Sequence, residues 1–146
     1  MRIGVVNGPN LNVLGAREPQ HYGPATLADI EKLLRDRAVQ LGAELAFFQS
    51  NHEGELVDWI QREGDAVDGW LVNAGALTHG SIALRDVLIA CGRPFVEVHL
   101  SNIYAREPFR RESMLADRAV AVVAGFRERS YTLGLEGLVA HLTAPP

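Results

Sequence analysis

Short apolar runs alternate with helical segments along the chain, and this alternation constrains the fold more than any other feature. Five runs have the length and the β-branched or aromatic content of strands, at residues 2–6, 45–49, 69–72, 95–99 and 119–124. Helical patterns cover 27–41, 81–90 and 131–142, and a further helical pattern follows the second strand and ends near residue 63. Strands that alternate with crossover helices form parallel sheets. The sequence therefore predicts an α/β protein, a three-layer flavodoxin-like sandwich with a five-stranded parallel sheet in the order 2-1-3-4-5.

Local signals support some of these boundaries and leave two segments irregular. Thr26 is a suitable N-cap for the helix over 27–41, and Gly42 follows its end. The loop over 7–23 is longer than a strand-to-helix turn requires, and such loops often carry function. Residues 101–117 are polar, and we expect at most a short helix there, near 109–114.

Length and composition indicate one globular domain, 1–146. The chain is 47% hydrophobic and 22% charged, which is ordinary for a folded domain. It contains no apolar run long enough for a membrane span and no signal peptide, so we expect a cytoplasmic protein without a membrane partner. A net charge of -4 without a basic, aromatic-rich cluster gives no support to nucleic-acid binding. The single cysteine, Cys91, excludes an internal disulfide and is expected to be packed.

The predicted strand order places a ligand site at one edge of the sheet. In open parallel sheets ligands bind outside the carboxyl ends of the strands, where the strand order reverses. That edge is reached by residues 7–12 after the first strand, 73–79 after the third and 99–101 after the fourth. All three sets contain polar side chains, so we expect them to form the site.

Glu97 and His99 alternate with valines along the fourth strand, so both side chains point to one face. A satisfied internal pair would explain them structurally. Their place at the ligand-binding edge favours a functional role, in which Glu97 orients His99 or stabilises its charged form.

Arg17 and Tyr22 are close in the first loop, at a distance that a bent loop can close. A guanidinium beside a phenol favours the phenolate, which makes Tyr22 a candidate general base. Spacing alone is weak support, and Glu18 is an equally suitable partner for Arg17.

Other polar groups at this edge suit a ligand rich in hydroxyls and carrying an anionic group. Asn10 and Asn73 are candidate hydroxyl contacts, although capping of backbone turns explains them equally well. His79 precedes Asp86 by seven residues, which puts both on one face of the predicted helix. Arg110 is a candidate anion contact, although a solvated surface arginine is the more common case, and the backbone N–H groups near Leu100 and Ser101 are candidate contacts to a carboxylate.

Motifs for common cofactors are absent from the sequence. His52, His79, His99 and the carboxylates do not form a recognisable metal-ligand pattern, so we predict no metal. The glycine-rich nucleotide signatures are missing, and we expect no cofactor. Lys32 is the only lysine, and any imine-forming mechanism would depend on it.

Four segments together resemble a known family. They read NGPNLNxLGxREPxxYG over 7–23, QSNHEGEL over 49–56, NAGAxTH over 73–79 with Arg85 and Asp86 after it, and VEVHLSN over 96–102. In this order they resemble type II 3-dehydroquinate dehydratase, and the similarity extends to about residue 111. The resemblance implies removal of water from 3-dehydroquinate through an enolate, to give 3-dehydroshikimate, in the shikimate or quinate pathway and without metal or cofactor.

The resemblance also implies roles for individual residues. Tyr22 resembles the base that takes the C2 proton, assisted by Arg17, and His99 resembles the acid that protonates the departing C1 hydroxyl. Glu97 and Asn10 resemble residues that support this geometry. The implied substrate contacts are Asn73, His79, Asp86 and Arg110 through side chains, and Leu100 and Ser101 through the backbone. The family's equivalent of Asp86 reaches the site of a neighbouring subunit.

The C-terminal part departs from the family pattern. The family has glycines before a tyrosine after the fifth strand, whereas this chain reads GFRERSY over 125–131. This difference bears on the last turn and on subunit contacts, not on the chemistry. The family forms dodecamers built from four trimers, and we expect a homo-oligomer of that kind. A flavin-binding protein and a catalytically silent binding subunit remain the alternatives.

Overall fold

The computed structural model describes residues 1–16 and 18–146 and has the predicted parallel sheet. The strand order is β2-β1-β3-β4-β5, and all neighbouring pairs are parallel. The fold prediction is confirmed. The strands are β1 Arg2–Asn7, β2 Glu44–Gln49, β3 Gly69–Asn73, β4 Phe95–His99 and β5 Ala121–Ala124. The helices are α1 Pro19–Tyr22, α2 Leu27–Leu41, α3 Glu53–Glu63, α4 Ile82–Cys91 and α5 Arg129–Thr143.

The sheet separates two hydrophobic cores. Because side chains alternate along a strand, Val5 and Leu71 belong to the core under α2 and α5, whereas Val6 and Val72 belong to the core under α3 and α4. Burial on both faces explains why the central strands read as nearly continuous apolar runs. In the described part of the chain, no helix combines the length and apolar character that crossing a membrane requires.

Capping interactions set the boundaries of α2 where the sequence predicts them. The Thr26 hydroxyl accepts a hydrogen bond from the Asp29 N–H at 3.1 Å, and the Asp29 carboxylate accepts one from the Thr26 N–H at 2.9 Å. This reciprocal pair satisfies two N–H groups that the first turn leaves without helical partners. The hydrogen bond that the Asp29 carboxylate accepts from the Thr26 N–H is the main cause that lowers the pKa of Asp29.

The two irregular segments contain more local structure than predicted. The first loop forms a 3-10 turn at Leu11–Val13 and the short helix α1. Pro19 starts α1 because its fixed φ suits the first helical position, and Gly23 ends the helix at φ 79°. The second segment, for which at most a short helix near 109–114 is expected, has 3-10 turns at Ile103–Ala105 and Pro108–Arg110 and no helix over 111–114. β5 also begins two residues later than expected, at Ala121.

Candidate active site

The carboxyl ends of β1, β3 and β4 meet at one edge of the sheet and form a small pocket. The loops after β1 and β3 pack so closely there that a Cβ on Gly8 would lie only 2.3 Å from the Ala74 carbonyl oxygen. The pocket is lined by Leu11, Tyr22, Asn73, Gly75, Ala76, His79, His99, Leu100, Ser101, Ile103, Arg106 and Arg110. The structure thus brings together most of the side chains that the sequence singles out.

His99 and Glu97 form a buried pair behind this pocket. Nε2 of His99 lies 3.0 Å from Oε2 of Glu97, and the two residues are 5% and 0% exposed. The other carboxylate oxygen of Glu97 accepts a hydrogen bond from the Ser113 hydroxyl. Burying a carboxylate is unfavourable unless each oxygen has a hydrogen-bond donor or a charge partner. Here both oxygens have partners, and the contact expected between Glu97 and His99 is present.

His79 lies beside His99 with its ring nearly parallel, at a centroid distance of 6.4 Å and an interplanar angle of 17°. Its Nδ1 lies 2.7 Å from the carbonyl oxygen of Glu112. A carbonyl oxygen only accepts hydrogen bonds, so Nδ1 must carry the hydrogen. In the neutral ring, Nε2 is then an acceptor suited to a ligand hydroxyl. His79 belongs to a separate 3-10 turn, Gly75–His79, and not to α4, which carries Asp86. The sequence predicts both residues on one helix face, whereas the structure places them on different elements.

Arg106 lies between Tyr22 and the end of β4. Its Nη1 donates to the Tyr22 hydroxyl at 3.0 Å and to the Ser101 hydroxyl at 3.2 Å. The guanidinium carbon lies 5.2 Å from the centroid of the Tyr22 ring, and the Arg106 side chain is only 7% exposed. Glu18 and Glu107 lie within 3.9 Å of the same guanidinium. A buried positive charge therefore faces the phenol.

The sequence does not single out Arg106. It lies in an irregular segment, where no periodicity fixes the direction of a side chain, and it is one of several arginines there. Arg17, the predicted partner of Tyr22, lies outside the described residues. The pairing of Arg17 with Tyr22 stays a prediction.

A buried hydrogen-bond chain supports Asn73 from below. Nδ2 of Asn73 donates to the Tyr131 hydroxyl at 2.8 Å, and that hydroxyl donates to Oδ1 of Asn7 at 2.6 Å. Oδ1 of Asn73 accepts from the Gly75 N–H at 3.2 Å, which is the turn-capping role that the sequence left open. Burial raises the pKa of Tyr131, so this phenol keeps the proton that it donates to Asn7. Tyr131 comes from α5, and no pattern in the sequence links it to the site.

The remaining predicted contacts are divided between the pocket and its surroundings. Arg110 lines the pocket, and its Nε donates to Glu107 at 3.1 Å. Asn10 is exposed, and its N–H donates to Oδ1 of Asn51 at 2.9 Å. Asp86 is also exposed and lies in a groove between α3 and α4, away from this pocket. Neither Asn10 nor Asp86 lines the pocket in a single chain.

The described residues contain no group of three or more His, Cys, Asp or Glu side chains arranged to hold a metal ion. Lys32, the residue on which imine chemistry would depend, pairs with Asp36 at 2.8 Å on the exposed side of α2. The polar side chains that line the pocket, among them Tyr22, His79 and His99, are of types that form hydrogen bonds and exchange protons.

Known proteins resemble this chain over nearly its whole length. The family model described as dehydroquinase class II matches residues 1–139. A 3-dehydroquinate dehydratase of Prochlorococcus marinus strain NATL1A is 56% identical over 142 residues, covering 97% of this chain and 98% of its own. One from Azorhizobium caulinodans is 56% identical over 144 residues, covering 99% and 97%. The crystal structure of type II dehydroquinase from Butyrivibrio crossotus matches with a TM-score of 0.91, 36% identity, and coverage of 94% and 97%.

Replacing Tyr131 with phenylalanine tests the buried chain beneath the pocket. The change leaves the Asn7 and Asn73 amides without their shared partner, and an unsatisfied buried polar group costs about 1–3 kcal/mol. We expect the free energy of unfolding, measured by urea denaturation, to fall by about 2–4 kcal/mol, while its dependence on urea concentration stays the same. Tyr104→Phe, at a side chain that is 54% exposed, is the matched control and should have no effect. Equal stability of the two variants would contradict the role given to Tyr131.

Proposed function

Because this chain belongs to the class II dehydroquinase family, we propose that it converts 3-dehydroquinate to 3-dehydroshikimate by loss of water through an enolate. The reaction removes a proton from C2, next to the ketone, and a hydroxyl from C1. Such an elimination requires a base, stabilisation of the enolate oxygen and an acid for the leaving group. The observation that carries the proposal is that Tyr22 and His99, each with a charged partner, line one pocket.

Tyr22 is the proposed base. The phenolate is the form that accepts the C2 proton, and Arg106 supports this role by donating a hydrogen bond to the Tyr22 oxygen and by placing its guanidinium 5.2 Å from the ring centroid. We further propose that Arg17 acts with Arg106 on the same phenol, as the family resemblance implies.

His99 is the proposed acid. Its Nε2 is engaged by Glu97, so Nδ1 is the nitrogen left to face a ligand. In the protonated ring, Nδ1–H gives its proton to the C1 hydroxyl oxygen, the C1–O bond breaks, and the electrons of the enolate form the C1–C2 double bond. Glu97 stabilises the imidazolium that this step requires.

The other pocket groups are proposed to position the substrate. Asn73 and His79 offer hydrogen bonds to hydroxyls, Arg110 offers a positive charge, and the backbone of Leu100 and Ser101 offers donors to the carboxylate. The free space is about 30 Å³, which suits one or two waters rather than a substrate. We therefore propose that α1, which carries Tyr22, moves outward to admit substrate and closes for the chemical step.

The assembly is proposed to complete the site. In the isolated chain, Asp86 lies in the groove between α3 and α4, which is lined by apolar side chains such as Val57 and Ile60. Covering this groove with a second copy would bury that surface and carry Asp86 to a neighbour's pocket. We propose the family's dodecamer of four trimers for this chain, with a supporting role for Asn10 at the rim. We also propose that the enzyme works in the cytoplasm.

The alternative activities receive less support. The relatives are dehydratases, and a flavin-binding role is not favoured. Imine chemistry would require Lys32, whose ammonium pairs with Asp36 on the exposed side of α2 and does not line the pocket.

The activity can be tested by following the ultraviolet absorbance of the conjugated enone product after addition of 3-dehydroquinate. We expect absorbance to rise with the wild-type protein and Tyr22→Phe to lower kcat by at least about 10²-fold, the scale of general acid–base catalysis. Substrate binding, measured by calorimetry, should persist in this variant. Tyr104→Phe is the matched control. No absorbance change with wild type would refute the dehydratase, and near-normal turnover in Tyr22→Phe would refute the assigned base.

Replacing Arg106 with methionine tests its action on Tyr22. The variant keeps most of the packing of the side chain but removes the donor and the charge, so we expect kcat to fall about 10²-fold, as for loss of one preorganised donor. Arg111→Met removes an exposed arginine from the same segment and should leave turnover unchanged. Arg106→Lys should recover part of the loss because it keeps the charge. Equal effects of the two methionine variants would contradict a specific role for Arg106.

A further inference from the structure

Ser113 occupies an unusual position at the back of the pocket. Its hydroxyl oxygen accepts hydrogen bonds from the N–H groups of Leu115 and Ala116, both at 3.0 Å, and it donates to Oε1 of Glu97. A hydroxyl has two lone pairs and one hydrogen. The two backbone N–H groups use both lone pairs, so the single hydrogen is committed to Glu97.

The segment that carries Ser113, residues 112–117, is held from two sides. The Met114 N–H donates to the Thr78 carbonyl at 2.8 Å, and the Glu112 carbonyl accepts from His79 at 2.7 Å. From α4, Arg85 donates to the Met114 carbonyl at 2.8 Å and pairs with Asp117. The hydroxyl therefore cannot turn away from Glu97 without breaking several hydrogen bonds.

Glu97 and His99 share one proton between Oε2 and Nε2. When the pair holds a further proton on Nδ1, two arrangements are available: imidazolium with carboxylate, or neutral imidazole with carboxylic acid. A hydrogen bond donated to Oε1 stabilises the carboxylate and so favours the first arrangement. Only the imidazolium is a strong enough acid at Nδ1 to protonate a departing hydroxyl.

We propose that Ser113 is a positioning residue that keeps Glu97 ionised, so that the shared proton stays on His99 and Nδ1–H serves as the acid. Its effect on turnover rests on the proposed dehydratase function, whereas the placement of the proton does not. The titratable and charged groups that line the pocket beside this pair are Tyr22, His79, Arg106 and Arg110.

Three substitutions test the donor role of Ser113. Ser113→Ala removes the hydroxyl, Ser113→Cys keeps a side chain of similar size with only a weak S–H donor, and Ser113→Thr retains the hydroxyl. We expect kcat to fall about 10- to 100-fold in Ser113→Ala, a part of the 10²–10⁴ that an acid contributes, with KM nearly unchanged, and to fall less in Ser113→Cys. The threonine variant should recover most of the activity. If Ser113→Ala does not fold, the cysteine and threonine variants carry the test.

Nitrogen-15 NMR of labelled histidine gives a readout that does not depend on turnover. The His99 signals are assigned by their loss in His99→Asn. As the pH is lowered and the pair takes up a proton, Nε2 of His99 should stay protonated in wild type and shift toward the unprotonated position in Ser113→Ala. Full activity of Ser113→Ala, or an unchanged Nε2 signal in that variant, would overturn the proposal. Inactive wild-type protein would refute the dehydratase function while leaving the NMR test valid.

Discussion

The buried carboxylate of Glu97 is the constraint on which the rest of the site depends. Glu97 lies on an inner strand and has no exposed surface, so an ionised side chain without partners there would strongly destabilise the fold. One oxygen faces His99 and the other accepts from Ser113. Keeping these partners in place requires a fixed path for residues 112–117, and that path in turn orients His79. A single buried charge thus determines much of the local structure around the pocket.

The pocket has one side formed by the strand ends and one side formed by the short helix α1. Asn73 and His99 come from the ends of β3 and β4, and the hydrogen-bond chain from Asn7 through Tyr131 holds Asn73 from behind. Tyr22 comes from the four-residue helix α1, and Arg106 connects its hydroxyl to that of Ser101, beyond the end of β4. This division suits a reaction in which the acid and the substrate contacts are preorganised and the base arrives on closure.

The sequence predicts the features that depend on periodicity and local capping. The parallel sheet and its order are confirmed, and α2 has its predicted limits because Thr26 and Gly42 mark them chemically. Residues two apart on a strand share a face, so Glu97 and His99 could be paired before the structure was known.

Other residues could not be placed from the sequence. Arg106 and Ser113 lie in a segment without periodicity, whose course is set by long-range hydrogen bonds to Thr78 and Glu97. Tyr131 reaches the site from a helix far along the chain, a contact that only the packed fold defines. Asp86 faces away from the pocket of its own chain, and its proposed role depends on assembly.

In the proposed mechanism the reaction is divided between Tyr22 as base and His99 as acid. His99→Ala, incubated with 3-dehydroquinate in deuterium oxide, tests this division when deuterium uptake at C2 and formation of the enone are followed together by NMR. We expect the variant to exchange the C2 proton much faster than it forms the enone, because the enolate forms but the hydroxyl leaves slowly. Dehydration at the wild-type rate, or loss of exchange in step with dehydration, would contradict it.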